Sequence, residues 1–475
     1  MSEAFQTERT TPISRWQNRP RPPAPEPLNA RPGPLQTLRI LRTNPIEGLL
    51  EEHFEQPFTI ARTVVGTIAF VNEPNAIRHV LIDNAANYQR DRIQRKMLTV
   101  YGPNLLVAEG DDWRNQRRQI GRAFTPKMVA DFTAPMTDAA LALTKQWETL
   151  GAGSRIDLAL EMRRATIRLL ERTLFPGGFD RDLDETIKHI RRQFELVARV
   201  SLLDLLNMPN WIPRIVDFRL RPIFAFFEAM AADLIASRER LLEDPAAAPP
   251  NDFLTALLQP SEQRSGRALT RAEIAGNIFM LFAAGHETSA SALCWAFYLL
   301  ALDGEWRERL EAEADRELPD GRFVEGSLDR LIETKAVIEE TLRLYPPIAT
   351  LNRQAVGADR LGDLKIAPGT FVVVAPWVLH RHRRLWEMPD HFDPSRFLPG
   401  ARDNIHRFSY LPFGAGPRVC VGASFGTQAF TILLATIVRR FKLELAPDSE
   451  VWPVHRVTLH PERGPSMILR PRWAN

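Results

Sequence analysis

The spacing of apolar positions changes along the chain, and each change predicts an element. Over "FTIARTVVGTIAFV" (58–71) apolar and polar residues alternate and β-branched residues dominate, with Gly66 near the turn, which predicts a β-hairpin. From about Glu73 to Tyr345 the pattern is mostly the three-and-four repeat of helices. "LKIAPGTFVVVAP" (364–376) predicts a second hairpin about Pro368-Gly369, a pair suited to a type II turn. A helix is expected from about Gly422 to Arg440, with strand character towards the C-terminus. The most apolar run, "IFMLFAAGHETSASALCWAFYLLAL", belongs to a helix opened by a capping box, Thr270-Arg-Ala-Glu273. At 1.5 Å per residue that helix is roughly 50 Å long, enough to cross the molecule. His286, Glu287, Thr288 and Ser289 interrupt the run. A bilayer span needs roughly 20 apolar residues with few charges, so a helix buried in protein is expected instead.

No internal repeat and no linker is visible between 35 and 475, so one mainly helical body with a smaller β region is predicted. The first 34 residues are polar and proline-rich and read as an extended tail or strap of polyproline character. They carry no apolar core of a secretory signal. Composition changes this picture little: 44% hydrophobic and 25% charged residues suffice for a sizeable core. A net charge of +3, without a dense basic block interleaved with aromatics, argues against nucleic acid. Only two cysteines, Cys294 and Cys420, indicate a reducing compartment, and a cytoplasmic protein is expected.

One of those cysteines stands in "FGAGPRVCVG" (413–422). A disulfide with Cys294 conflicts with the reducing compartment and with the mid-helix position of that residue. Zinc would need about four ligands, and no CxxC or HxxxH lies nearby. A phosphate-binding glycine loop fails on spacing, because "GAGPRV" has valine at the third glycine position. A lone thiolate bound to a large group remains. The start of the following helix supplies positive potential, and a lowered thiol pKa is expected. Gly414 and Gly416 would turn the backbone and aim N–H groups at the sulfur. Phe413 would screen it from water, Gly422 would let a flat cofactor approach the helix, and Arg418 would meet an acidic group on that cofactor.

Phe413, Gly416, Cys420 and Gly422 satisfy Phe-x-x-Gly-x-x-x-Cys-x-Gly, and this stretch resembles the haem-binding signature of the cytochrome P450 superfamily. Three more segments resemble that family in the same order. "AAGHETS" (283–289) matches its Ala/Gly-Gly-x-Glu/Asp-Thr motif. The resemblance implies that Glu287 and Thr288 deliver protons to oxygen at the iron, with Ala284 and Gly285 leaving room above it. Thr288 is expected to bond back into the helix and open its ladder, and His286 falls at the motif's variable position. "EETLRLYPP" (339–347) matches the Glu-x-x-Arg element as Glu340 and Arg343, completed by Arg396 in "HFDPSRF", which implies a structural role. "DDWRNQRRQIGRAF" (111–124) matches the Trp-x-x-x-Arg helix, so Trp113 and Arg117 are implied to bind haem propionates. Arg353 and Arg418 are implied propionate ligands too, while Arg114, Arg118 and Arg122 read as a solvated or donor-docking face.

The resemblance covers about 35 to 475 and implies an α-rich triangular prism around b-type haem. It implies monooxygenation of an apolar small molecule with O2 by a monomer. No flavin, nicotinamide or iron–sulfur fingerprint is seen, so electrons are expected from a ferredoxin with its reductase or a flavodoxin-type donor. A peroxide-driven enzyme and a non-catalytic haem protein remain alternatives, the first disfavoured by Glu287-Thr288. Residues 202–230 resemble the family's variable lid, and "PIATL" (347–351) is an expected pocket wall. Similarity to fatty-acid hydroxylases around "RLYPP" and "FDPSRFLP" tilts the substrate towards chain-like lipids.

Overall fold

Helices predominate among the described residues. The computed structural model describes residues 16, 19–63, 66–91, 94, 95, 98, 102–176, 182–197, 215–244, 246, 247, 250, 252–259 and 267–472. Ten helices of at least ten residues occur among them: α1 (Pro34–Thr43), α2 (Gly110–Gly121), α3 (Thr133–Glu148), α4 (Leu158–Thr173) and α5 (Leu183–Val197), then α6 (Ile215–Glu243), α7 (Arg271–Leu302), α8 (Gly304–Glu317), α9 (Ile332–Leu344) and α10 (Ala423–Arg440). None of the described helices is long and apolar enough to cross a membrane.

α7 is the axis of the body, and its limits follow from local chemistry. Thr270 Oγ1 accepts from Glu273 N at 3.2 Å, while the Glu273 carboxylate accepts from Thr270 N at 2.8 Å, closing the capping box. At the other end the Asp303 carboxylate accepts from Trp306 N at 3.1 Å and starts α8. Between these ends most side chains are buried, as a helix apolar on nearly all faces requires. α4 lies closest to it at Gly285, where an added Cβ would stand 3.2 Å from Leu170 Cδ2. α6 crosses it with Phe227 stacked on Phe279, ring centroids 4.2 Å apart. Residues 202–214 of the expected lid lie outside the described residues, and 215–230 form the first half of α6.

The β region is more divided than the alternation suggests. β1 (Phe58–Thr63) and β2 (Gly66–Val71) form the expected hairpin. They belong to a five-stranded sheet ordered β1-β2-β8-β5-β3, with β3 (Tyr88–Gln89), β5 (Leu351–Ala355) and β8 (Phe371–Val374). The second expected hairpin is not one. Its turn exists, with Gly369 at φ +81° and Thr370 N donating to Ala367 O at 3.2 Å. Its arms separate, however: β7 (Leu364–Ile366) pairs back on β6 (Asp359–Leu361), and β8 inserts between β2 and β5. Val372 and Val374 are wholly buried there, so a place inside the larger sheet outweighs pairing across the turn. Near the C-terminus β9 (Phe441–Leu445) and β12 (Ser466–Pro471) form a sheet with β4 (Arg155–Asp157), and β10 (Pro453–His455) pairs with β11 (Leu459–Pro461).

The described part of the proline-rich segment lies on this body as a strap over residues 20–28. Proline offers carbonyls but no N–H, and the carbonyls are what the body uses. Pro20 O accepts from Phe392 N at 3.0 Å and Pro23 O from the Tyr345 hydroxyl at 2.8 Å. Leu28 then exchanges backbone bonds with Leu49 and Glu51 at 2.8 and 3.0 Å.

Candidate active site around Cys420

The loop before α10 is shaped by backbone packing. Gly414 and Gly416 have φ of +72° and +73°, which favours glycine. A Cβ on Gly416 would sit 1.9 Å from Leu81 O, so the close approach of two backbones excludes any side chain. Cys420 N donates to Phe413 O at 2.9 Å, which ties the loop across its ends. Gly422 caps α10, and its N–H, not those of Gly414 or Gly416, bonds to the Cys420 sulfur. The expected lowering of the thiol is overturned: burial pushes Cys420 up, against the Gly422 N–H and the charge of Arg117. Its side chain is nonetheless accessible, because it opens into an internal cavity. Cys294 is enclosed within α7, and burial pushes its thiol up as well.

That cavity, ≈ 170 Å³, is walled by the cysteine loop on one side and α7 on the other. Ala284, Gly285, Thr288 and Ser289 line it, together with Leu170, Leu174, Met280 and Phe124. Ala284 is exposed in the middle of an otherwise buried helix, which marks where the cavity meets α7. Thr288 Oγ1 donates to Ala284 O at 2.6 Å, the back-bond the sequence suggests. The ladder does not open, since α7 continues unbroken through these residues. The missing side chain of Gly285 points at Leu170, so its absence serves the packing of α4 rather than a space for oxygen.

Glu287 is not on the cavity wall. It faces α4, where Arg163 Nε lies 3.4 Å from its Oε2, and it is buried. Burial pushes its carboxyl up, but the charges of Arg163, His286 and His460 outweigh this and leave it below the ordinary carboxylate range. His286 is enclosed, with Nδ1 4.0 Å from Glu287 Oε2 and neither ring nitrogen hydrogen-bonded. Burial lowers it to about 4. The sequence does not reveal Arg163, which lies 124 residues from its partner.

Trp113 and Arg117 project from α2 to the wall, as their i, i+4 spacing requires. Arg418 stacks over Trp113, 4.4 Å from the ring centroid, and donates to Ala108 O at 3.0 Å. It also pairs with Glu109, so a carboxylate of this chain takes the place expected for an acidic group of the cofactor. Arg353 is buried on β5 behind the wall, and Arg90, not foreseen from the sequence, lies on the wall itself. Burial above all lowers Arg90, Arg353 and Arg418 to about 10 each, with repulsion from a neighbouring arginine added and the charge of Glu109 opposing it. Neither "PIATL" nor the described part of the expected lid lines the cavity.

Glu340 and Arg343 form a paired core below the loop. Arg343 donates to Glu340 at 2.6 and 2.8 Å and to the carbonyls of His380, Pro389 and His391 at 2.8, 2.6 and 2.9 Å. Arg396 Nε reaches Glu340 Oε1 at 3.6 Å.

These residues fit a flat, anionic, metal-bearing group. A sulfur opens into an apolar cavity, the glycine loop lies flush on its neighbours, and the guanidiniums of Arg90, Arg353 and Arg418 outnumber the carboxylates of Glu109 and Asp91 beside them. The comparisons with known proteins agree. The family model described as cytochrome P450 matches residues 25–466. Cyclooctatin synthase from Streptomyces melanosporofaciens is 30% identical over 403 residues, 84% of this chain and 85% of the relative. Cyclooctat-9-en-7-ol 5-monooxygenase from the same organism is 29% identical over 376 residues, 79% and 80% of the two chains. A crystal structure of the cytochrome P450DA heme domain shares the fold, with a TM-score of 0.79 over 95% of this chain and 97% of that one at 21% identity.

Proposed function

Because the chain belongs to the cytochrome P450 family of haem-thiolate monooxygenases, we propose that Cys420 holds the iron of haem b and that the enzyme oxygenates an apolar small molecule. The observation that carries this reading is the Cys420 side chain, open to a cavity whose opposite wall is Thr288 and Ala284. When bound, the haem supplies the activation of O2 with two electrons from outside the chain.

The chain's own residues do the rest. Arg117, Arg90 and Arg418 on the wall, with Trp113 against Arg418 and Arg353 behind them, would supply the positive charge for the two propionates, Arg418 exchanging Glu109 for one of them. Burial holds the free Cys420 thiol up, so Cys420 would hold the iron as a thiolate only by giving up its proton on binding. Thr288 spends its own hydrogen on Ala284 O, so its oxygen faces the cavity as an acceptor and can hold a water there. Glu287 is the proton carrier, turning between Arg163 and the Thr288 side. Glu340, Arg343 and Arg396 hold the loop's foundation and touch no reacting atom.

The substrate is rich in hydrocarbon, matching the Leu170, Leu174, Met280 and Phe124 walls. The relative named for oxygenating cyclooctat-9-en-7-ol supports cyclic hydrocarbon alcohols beside the chain-like lipids. Electrons come from a ferredoxin with its reductase or a flavodoxin-type donor, in the cytoplasm, to a monomeric enzyme. The test is spectroscopic. The reduced carbon monoxide complex should show the red-shifted Soret band of thiolate ligation, and Cys420→His should lose it. An unshifted band in intact wild type would remove Cys420 from its role. Titrating the ferric protein with cyclic terpenoid alcohols and fatty acids should displace water from the iron for one class.

A further inference from the structure

The turned-away position of Glu287 raises the question of how its carboxylate is reloaded from solvent. Charged and titratable groups approach it from three elements. Arg163 comes from α4 at 3.4 Å, with Asp157 and Cys294 acting on it in turn. His286 stands beside it on α7, its Nδ1 4.0 Å away. His460 comes from β11, with His455 and Arg456 of the same hairpin acting on it or acted on by it.

The place of β11 is fixed by a hydrogen bond. Ser291 is one helical turn beyond Glu287 and shares its face of α7. Its hydroxyl donates to Leu459 O, so the residue adjoining His460 is fastened to the Glu287 face. His460 Nδ1 lies 3.1 Å from Thr458 O. A carbonyl only accepts, so Nδ1 carries the hydrogen and Nε2 keeps a lone pair. Burial lowers the basicity of His460, Glu287 raises it and Arg163 lowers it again, so the ring senses both members of the pair.

Of these neighbours one can reload the acid. Arg163 is held too basic to release a proton. His286 is fully enclosed and cannot exchange with solvent. His460 is half-buried, so its ring, unlike that of His286, is within reach of solvent. We propose that His460 is the positioning residue through which solvent protons reach Glu287, an inference that rests on the proton-carrier reading of Glu287. Nε2 accepts a proton from solvent while Nδ1–H stays on Thr458 O. Nε2 then releases it through bridging water to the carboxylate. Neutral imidazole and a carboxylic acid result, and Arg163 keeps its charge.

The test compares His460→Gln, His460→Asp and Glu287→Gln as holoenzymes with reconstituted electron donors. His460→Gln should keep haem content but slow coupled turnover by about tenfold. It should also raise the solvent isotope effect and erase the limb of the pH profile that His460 sets. His460→Asp should recover part of the rate, because a titratable group is back. Wild-type rate and pH profile in His460→Gln, with Glu287→Gln slowed, would overturn the relay and leave Glu287 in place. An unaffected Glu287→Gln would overturn both. If His460→Gln does not fold, the His460 ring is titrated by NMR in the diamagnetic reduced carbon monoxide complex. Its pKa should fall in Glu287→Gln relative to wild type, and an unchanged titration would overturn the proposal.

Discussion

Two buried carboxylate–arginine pairs, one on α9 and one between α7 and α4, differ in how completely they are satisfied. Glu340 and Arg343 have no exposed surface, and Arg343 meets a carboxylate and three backbone carbonyls. Glu340 accepts a further bond from Asp393 N at 2.8 Å. Glu287 and Arg163 share one contact of 3.4 Å, and Arg163 keeps 21% of its side chain exposed. A saturated pair has nowhere to go. A pair with one long contact can break and re-form at small cost, which suits a group that must move a proton. The difference separates a foundation from a working part, although both are acid–arginine pairs in a hydrophobic body.

Removing one partner of the saturated pair should have the largest effect. Glu340→Ala strands Arg343 among carbonyls, and Arg343→Ala strands Glu340, at about 3–5 kcal/mol each. Both variants should give little folded protein and almost no haem, measured as the absorbance ratio of Soret to protein. Normal yield and haem content would erase the distinction between the pairs.

The looser pair should respond less, and with a sign that depends on pH. In wild type the Glu287 carboxyl lies below the ordinary range, so it adds stability above that range and loses it as pH falls through the lowered value. Arg163→Gln leaves burial in place and removes the largest opposing charge. The folded carboxyl then rises above its unfolded value, and the fold loses stability as pH climbs through the carboxylate range. Wild type and variant should melt alike in acid and diverge by about 1–3 kcal/mol near neutrality. Paired denaturation curves at the two pH values measure this, and a deficit equal at both would mean that Glu287 does not feel Arg163.

How far each pair shows in the sequence follows from the same contrast. Glu340 and Arg343 are neighbours on one helix, so an i, i+3 spacing reveals them. Glu287 is visible as a charge in an apolar run, but Arg163 and His460 come from other elements and no spacing points to them. Arg90 and Glu109 were missed beside Arg418 for that reason. The capping box of α7, the β1–β2 hairpin and the helix after Gly422 were legible because local bonds define them. Pro368-Gly369 defines a turn equally well, yet it cannot say that β8 finds a better-buried place between β2 and β5. The direction in which Gly285 lacks a side chain, and the burial that raises Cys420, also depend on what packs nearby.

The smallest change in stability should come from Thr288→Ala, where the comparison is sharpest because function alone should respond. The hydroxyl bonds to Ala284 O, a carbonyl that already belongs to the helix ladder, and alanine is the better helix former. Stability should therefore stay within about 0.5 kcal/mol of wild type. Haem content and substrate binding should be kept, since Thr288 contributes one small polar group to a wall that is otherwise apolar. What is lost is the acceptor that holds a water over the cavity. Electron consumption should continue while product per electron falls and peroxide rises, with Glu287→Gln slowing the whole cycle instead. The measurement needs a substrate that shifts the spin state of wild type, because a poor fit uncouples any variant. Wild-type coupling in Thr288→Ala would assign proton handling elsewhere on the wall, and the Cys420 reading would stand without it.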